Sequence, residues 1–490
     1  MHADQTNPTP DQGQAVSELK RKAVRGVASF FFRTLVLQGI GFASAVLLSA
    51  YLNPEDFGVF GIVTQLTGLL IFFSDIGVAA ALVQAKDTPS LTDYRTAFTL
   101  QQLLAWLIVG VSVFLVLFGL IEPKVGSAGV WVFLALAISF PLAALKTIPS
   151  ILLERELRFD KLITPQIAEQ LVFHITLIIL AMNGLGVLSY AYAVIFRSII
   201  GVIVMYGIKR WEVGLSWNKA SLNKLLKFGF QFQLIDLLAR IKDQLYFLVL
   251  GMYLPLKEFG YIQWAKNWSL YPYQLTVQNV MAITFPTFAR LQDNPKLLQR
   301  AIEKSIYFIA LSIFPVLIYM IVGVSPLIHL ISKYEKWIPA ITSFVLFTAS
   351  IFGAALSSPI TNALNALGKI SWSVRLMTMW TVLTWVLTPI CLKFMGYNGV
   401  SVAAILLAST SFIPILLIKK LVTLRVWDQL KTPTIASAGM IFFVAITYSS
   451  WSKSWINFVS FSVMSGIVYL LMFWLLGRNK FIAEIKSLKN

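Results

Sequence analysis

The chain carries the stretch YLNPEDFG at residues 51–58 and a related stretch, YLPLKEFG, at residues 253–260. Each copy follows an apolar run long enough to cross a bilayer as a helix, and each leads into the next apolar run. Six predicted spans separate the copies, so the two halves of the chain have the same orientation in the membrane. We therefore predict two parallel six-helix repeats, related about the membrane normal, with a binding site at their interface.

The composition around this repeat is that of a helical membrane protein. The 490 residues are 57% hydrophobic and 13% charged, whereas soluble domains are about 25% charged. Hydropathy and turn signals predict about 14 transmembrane helices, and no loop is long enough for a soluble domain. We therefore predict an all-α polytopic membrane protein, with approximate spans 26–52, 56–84, 96–120, 128–152, 162–183, 186–208, 225–253, 259–288, 302–325, 338–366, 373–395, 398–418, 433–450 and 455–477.

These spans divide the chain into six predicted parts. The last two spans fall outside the repeat and form an appended helix pair. The parts are a disordered cytoplasmic tail at 1–19, an N-terminal six-helix bundle at 20–210, a cytoplasmic linker at 211–224, a C-terminal six-helix bundle at 225–420, the appended pair at 431–478 and a cytoplasmic tail at 479–490.

The net charge of +18 comes from Lys and Arg residues in short loops rather than on a soluble domain, which argues against a nucleic-acid partner. With both termini placed in the cytoplasm, the cytoplasmic segments carry 28 Lys and Arg residues and the opposite loops carry six. The positive-inside rule therefore predicts that the N-terminus and the C-terminus both lie inside.

Six further basic residues lie within the apolar spans. A charge at the bilayer centre costs at least about 2.5 kcal/mol, so several of them are expected to face a wet, protein-lined interior. Only four acidic residues lie in the spans, which leaves this interior net positive and suited to an anionic ligand. For Lys146, near the cytoplasmic end of its span, snorkelling is favoured. The basic residues are Arg33, Lys146, Arg197, Arg240, Lys242 and Lys266, and the acidic residues are Asp75, Glu169, Asp236 and Asp243.

The seventh span has a polar face. Asp236, Arg240 and Asp243 are spaced by four and three residues, so they share one side of a helix. Both aspartates can pair with Arg240, whose planar guanidinium is able to bind a phosphate through two hydrogen bonds. The aspartates either support such a contact or form a structural polar seam, and the sequence leaves both interpretations open.

Aromatic residues surround Lys266 in the eighth span. A surface that stacks on sugar rings is one interpretation, and helix packing with an interfacial belt is the favoured one. The aromatic residues are Trp264, Trp268, Tyr271 and Tyr273. No phosphate-binding loop, metal helix or nucleophile motif occurs, and the single cysteine lies in an apolar span. We therefore expect no catalytic activity, no cofactor and no metal.

Five groups of short stretches resemble those of Wzx-type oligosaccharide flippases. The resemblance is specifically to the branch of colanic-acid and teichuronic-acid exporters, within the multidrug/oligosaccharidyl-lipid/polysaccharide superfamily. The resemblance covers most of the chain, roughly residues 20–425. The stretches are LNPEDFG at 52–58, FSDIG at 73–77 with AALVQ at 80–84, RELRF at 155–159, FP at 285–286 with ARLQD at 289–293, and KWIPA at 336–340.

The resemblance implies two six-helix bundles in a V that opens alternately to each side of the membrane. It also implies movement of an undecaprenyl-diphosphate-linked repeat unit from the cytoplasmic to the outer leaflet of the bacterial plasma (inner) membrane. Members of the family commonly show Ala-Arg-Gln-Leu-Asp-Asn where this chain has ARIKDQ at 239–244. Arg240 and Asp243 are retained, and Lys242 is the departure.

We therefore predict a polysaccharide flippase. The predicted anion contacts are Arg33, Arg197, Arg240 and Lys266; Asp236 and Asp243 are supports, and Asp75 is either a packing group or a site for a coupling ion. Expected partners are the lipid-linked oligosaccharide, membrane lipids, H⁺ or Na⁺ and the polysaccharide polymerase machinery. The alternatives are a lipid II flippase and a cation-coupled multidrug antiporter, the second of which requires acidic residues to dominate the cavity.

Overall fold

The computed structural model describes residues 34, 36–75, 77–85, 87–223, 225 and 244–489. These residues form helices joined by short connections, and no strand occurs among them. The helices are α1 Val36–Tyr51, α2 Pro54–Asp75, α3 Val78–Gln84, α4 Leu91–Leu117, α5 Glu122–Arg155, α6 Phe159–Met182, α7 Leu188–Ile208, α8 Tyr246–Tyr253, α9 Leu256–Leu275, α10 Val277–Arg290, α11 Pro295–Leu330, α12 Ile341–Ala366, α13 Ile370–Met395, α14 Gly399–Ala408, α15 Phe412–Ile418, α16 Val426–Trp451 and α17 Trp455–Lys489.

The described part of the chain contains nine helical segments that are long and apolar enough to cross a membrane. The predicted class, an all-α polytopic membrane protein, is thereby confirmed. The count of 14 helices and the placement of both termini inside remain predictions.

The chain divides into two compact units. The first comprises residues 1–52 and 62–252, and the second comprises residues 53–61 and 253–490. The helix α2 therefore begins in the second unit and continues into the first. The domain bounds predicted from the sequence remain a prediction.

The two copies of the internal repeat have the same local structure. In each copy a buried leucine, Leu52 or Leu254, is followed by one extended residue, and a helix begins at Pro54 or at Leu256. In the first copy the carboxylate of Asp56 accepts a hydrogen bond of 2.8 Å from the backbone N–H of Asn53, which caps the start of α2. The two short stretches therefore have the same local structure, and the pair of parallel six-helix repeats remains a prediction.

Three of the predicted spans are each broken into two helices, and in the span predicted at 398–418 the break is the 3₁₀ turn Ser409–Ser411. The span predicted at 56–84 is interrupted at Gly77, which has a φ of 72°, a conformation that glycine adopts without steric cost. The span predicted at 259–288 is interrupted at Thr276, four residues after Pro272. A proline lacks the N–H that continues the helical hydrogen bonds, so it weakens the helix there.

In the first unit, α5 packs against α4 and α7, and α6 packs against α7. The helix α4 begins with a capping box formed by Ser90 and Asp93. The segment predicted as a linker lies along α4 and is held by side chains of that helix. The backbone N–H of Ser216 donates to Thr99 Oγ1 at 3.0 Å, and that of Asn218 donates to Thr96 Oγ1 at 3.3 Å.

In the second unit, α11 packs against α12, α16 and α17, and α16 packs against α17. The carboxylate of Glu303 on α11 accepts a 2.8 Å hydrogen bond from the backbone N–H of Arg425, the residue before α16. A carboxylate at this position satisfies a free N–H at the start of a helix and complements the helix dipole. This contact attaches the start of the appended helix pair to α11.

Candidate anion-binding site

The structure describes the side chains of two of the seven predicted site residues. Arg197 lies on α7 in the first unit, and Lys266 lies on α9 in the second. Asp75 is the last residue of α2, and its side chain is outside the described part. The other four predicted residues lie outside the described residues: Arg33, Arg240, Asp236 and Asp243.

Arg197 is partly buried and rests on an aromatic ring. Its guanidinium carbon lies 5.6 Å from the centre of the Phe173 ring on α6, which is within the range of a cation–π interaction. No carboxylate of the described residues forms an ion pair with Arg197. The ring stabilises the cation without neutralising it, so Arg197 contributes a net positive charge to this part of the first unit.

A second cation of the same unit is paired. The ammonium of Lys146 on α5 donates a hydrogen bond to Glu169 Oε1 on α6, and the two side chains are only 17% and 16% exposed. The sequence favoured snorkelling for Lys146. The structure instead places it in a mostly buried ion pair.

Gly201 on α7 makes room for this ion pair. A Cβ at this position would lie 2.8 Å from Glu169 Cγ and closer still to the carboxylate, so no larger residue fits unless Glu169 moves. The hydroxyl of Tyr206, also on α7, donates to the carbonyl of Leu145 at 3.1 Å, next to Lys146. Residues of α7 therefore contact Glu169 directly and the backbone next to Lys146.

The pair and Arg197 lie close together because of helical spacing. Glu169 and Phe173 are one turn apart on α6, and Arg197 and Gly201 are one turn apart on α7. Glu169 lies against Gly201 and the Arg197 guanidinium lies over the Phe173 ring, so the two contacts between α6 and α7 are one helical turn apart along the backbone. Counting the described residues, the cluster holds two cations and one anion and is therefore net positive.

His174 follows Phe173 and adds a polar group to this cluster. Its ring meets the Phe173 ring edge to face at 5.1 Å. Its Nδ1 atom is buried and has no hydrogen-bond partner among the described residues. The cluster is thus the most polar part of the interface between α6 and α7 that the described residues show.

Lys266 on α9 is partly buried, and Trp264 and Trp268 lie two residues before and after it in the sequence. Trp264 is 3% exposed and stacks on Trp337 with ring centres 4.9 Å apart, so it belongs to the core of the second unit. The Tyr273 hydroxyl forms a 2.7 Å hydrogen bond with the hydroxyl of Ser358. Packing, the interpretation favoured from the sequence, is what the structure shows for Trp264 and Tyr273.

Sequence reasoning missed three residues of the first-unit cluster as site residues: Glu169, Phe173 and Gly201. Glu169 was recognised only as an intramembrane acid, because its partner lies on another span and no spacing rule connects the two. The described residues include no group of three or more His, Cys, Asp or Glu side chains that could hold a metal ion.

The stretches that carry the family resemblance contact one another within each unit. In the first unit, Arg155 Nη1 donates to the carbonyls of Leu82, Val83 and Ala85 at 2.8, 3.2 and 3.1 Å, where α3 ends. In the second unit, the rings of Phe57 and Trp337 meet edge to face at 5.0 Å. These stretches are therefore packing and capping elements of the fold.

Comparison with known proteins agrees with this fold. An uncharacterized membrane protein from the cps region of Klebsiella pneumoniae is 24% identical over 96% of this chain and 98% of its own length. The lipopolysaccharide biosynthesis protein WzxC of Escherichia coli (strain K12) is also 24% identical, over 73% of this chain and 72% of its own length.

Among solved structures, the lipid II flippase MurJ in its inward closed conformation has a TM-score of 0.73 and 16% identity, with 94% of this chain and all of that chain covered. At this identity the likeness shows a shared fold. The family described as "Polysaccharide biosynthesis protein" matches residues 47–342, which is more than half of the sequence. The chain belongs to this polysaccharide biosynthesis protein family.

Proposed function

We propose that this chain is a flippase of the bacterial plasma membrane. It moves an undecaprenyl-diphosphate-linked oligosaccharide repeat unit from the cytoplasmic to the outer leaflet, so that the sugar can be built into an exported polysaccharide. The observation that carries the proposal is the net positive cluster around Arg197, in helices that are otherwise apolar. A cation held at membrane depth at a high desolvation cost marks a path for an anion.

The chemistry of the diphosphate suits such a cluster. A guanidinium is always charged and can donate two parallel hydrogen bonds to phosphate oxygens. The prenyl chain stays in the hydrocarbon of the bilayer throughout, so moving it between leaflets has no desolvation cost. Only the diphosphate and the sugars need a path lined by protein. In this proposal the binding site opens alternately to the two sides of the membrane. No covalent bond forms or breaks, so the protein acts as a transporter.

The proposed anion contacts are Arg197, Lys266, Arg33 and Arg240. Asp236 and Asp243 would hold the guanidinium of Arg240, and Asp75 would serve in packing or bind the coupling ion. Coupling to H⁺ or Na⁺ and contact with the polymerase machinery are further parts of the proposal, and they rest on the family resemblance.

Export of the glycan tests this proposal. A strain that lacks its own copy of this gene is complemented with the wild type, Arg197→Gln, or the double variant Arg197→Gln/Arg240→Gln, and cell-surface polysaccharide is measured at equal expression. We expect the single variant to lose export by about tenfold, the cost of one charge-assisted contact, and the double variant to lose more.

The matched control is Arg210→Gln. Arg210 is exposed and lies beyond the end of α7, so this variant removes the same charge outside the cluster. Unchanged export by the double variant would contradict the proposal. Rescue of a strain that lacks its peptidoglycan flippase would indicate lipid II as the substrate, and efflux of a cationic dye would indicate a drug antiporter.

A further inference from the structure

In the function proposed above, the ion pair between Lys146 and Glu169 counts only toward the net charge of the cluster, and neither residue has a role of its own. Such a pair is a weak source of stability, because the loss of hydration of both charges offsets their attraction. Apolar residues of similar volume would pack the interface of α5, α6 and α7 at least as well. The presence of two charges at this depth therefore calls for an explanation other than stability.

The position of Glu169 brings its carboxylate close to the backbone of α7. Gly201 is the residue that permits this approach, and any Cβ there would collide with Glu169. Both side chains nevertheless retain some exposure, 17% for Lys146 and 16% for Glu169, so the pair is not sealed.

Three charged groups and one histidine define the electrostatics at this point. Lys146 faces Glu169 from α5, Arg197 lies one turn from Gly201 on α7, and His174 lies five residues beyond Glu169 on α6. Among the residues that the structure describes, one carboxylate opposes two cations here. A ligand with two negative groups would therefore satisfy both cations better than Glu169 alone does.

We propose that Lys146 is a further anion contact for the diphosphate of the transported lipid, and that Glu169 is its internal counter-ion, displaced when the diphosphate binds. This inference rests on the proposed function. A carboxylate and a phosphate both accept hydrogen bonds from an ammonium through charged oxygens, so one can replace the other. The two phosphoryl groups then contact Lys146 and Arg197, whose contacts with α6 lie at successive turns of that helix. In the absence of substrate, Glu169 prevents Lys146 from being an unpaired buried charge.

Binding of a soluble prenyl diphosphate tests the inference. Farnesyl diphosphate is titrated into the purified full-length protein in lipid nanodiscs, and farnesol serves as the probe without phosphate. We expect Glu169→Gln to bind farnesyl diphosphate about tenfold more tightly than the wild type, because the internal competitor has lost its charge. Affinity for farnesol should be equal in the two proteins.

A double variant provides the opposite change. Lys146→Met/Glu169→Leu replaces the pair by apolar residues and should unfold at the wild-type temperature, since such replacements are commonly neutral. We expect it to bind farnesyl diphosphate about tenfold more weakly than the wild type. This variant also decides the question if Glu169→Gln does not fold.

The matched control is Glu156→Gln. It neutralises the carboxylate of a second Lys–Glu pair in the same unit, between Lys209 and Glu156 at 2.5 Å, which lies outside the membrane-spanning helices. Its affinity should equal that of the wild type. If Glu169→Gln and the double variant both bind farnesyl diphosphate with wild-type affinity, the inference is wrong and the proposed function is unaffected. A wild type that binds farnesyl diphosphate no better than farnesol would overturn both.

Discussion

Gly58 and Gly260 face each other where α2 and α9 cross, and each lies against the backbone carbonyl of the residue that begins the other helix. A Cβ on Gly58 would collide with the carbonyl of Leu256, and a Cβ on Gly260 would collide with that of Pro54. The contact is reciprocal because the two glycines occupy the same place in the two copies of the repeat. Both lie within the second unit.

This crossing predicts that alanine is harmful at either glycine. The added methyl group has only backbone atoms to displace, and overpacking of this kind costs about 1–3 kcal/mol. Gly58→Ala and Gly260→Ala should each lower the thermal unfolding midpoint of the purified protein in nanodiscs. The control is Gly110→Ala on α4, where a Cβ would meet no atom within 4 Å. A midpoint at or above that of the wild type for both crossing variants would show that the helices can separate at no cost.

Arg155 is predicted to hold the end of α3 in place. A hydrogen bond to a charged group contributes about 1.5–3 kcal/mol to the free energy of unfolding. The Arg155 guanidinium donates to three carbonyls that have no partner within the helix. Lysine keeps the charge but lacks the planar fork, so Arg155→Lys should accelerate amide hydrogen exchange in α3. The control is Arg158→Lys, because the Arg158 side chain is 46% exposed and contacts only Glu156 among the described carboxylates. Equal exchange in the two variants would mean that the cap does not stabilise α3.

Glu303 is predicted to fasten the appended helix pair to α11. Its carboxylate accepts from the backbone of Arg425 at 2.8 Å and from Gln299 Nε2 at 3.0 Å. Loss of a helix cap costs about 1 kcal/mol, so Glu303→Ala should expose the start of α16 to proteolysis and lower the unfolding midpoint slightly. The control is Glu335→Ala, because Glu335 is an exposed acidic residue of the same unit. Resistance to protease equal to that of the wild type would contradict this assignment.

The connection after α7 is predicted to depend on two threonines of α4. Valine has the shape of threonine without its hydroxyl, so Thr96→Val/Thr99→Val leaves the N–H groups of Ser216 and Asn218 without their acceptors. Amide exchange over residues 214–218 should then rise several-fold, since each lost hydrogen bond contributes about 1 kcal/mol. Thr147→Val is the control, because that hydroxyl bonds only to its own helix. Unchanged exchange in the double variant would show that other contacts hold this segment.

The helical membrane fold follows from the sequence because an apolar run of about 20 residues is stable in few structures other than a transmembrane helix. The repeat at 51–58 and 253–260 was also readable, since a close helix crossing requires small residues and a fixed turn. The breaks at Gly77 and Thr276 were not, because hydropathy continues through both positions. A single glycine or threonine in an apolar run does not by itself indicate that the helix stops.

The candidate site was only partly predictable, for a different reason. Arg197 was recognisable because a lone cation in an apolar span is costly wherever it points. The pairing of Lys146 with Glu169 depends on how α5, α6 and α7 pack, and the two residues are 23 positions apart on different helices. The role of Gly201 follows from the same packing, and no local pattern in the sequence predicts it.

Translocation by the purified protein tests the central claim most directly. Proteoliposomes are loaded with a fluorescent undecaprenyl-diphosphate-linked disaccharide in both leaflets, and a membrane-impermeant quencher is added outside. We predict that the wild type makes the inner-leaflet pool accessible within minutes, and that Arg197→Gln slows this by about tenfold. A wild type that is no faster than protein-free liposomes, or an Arg197→Gln variant that is as fast as the wild type, would contradict the account.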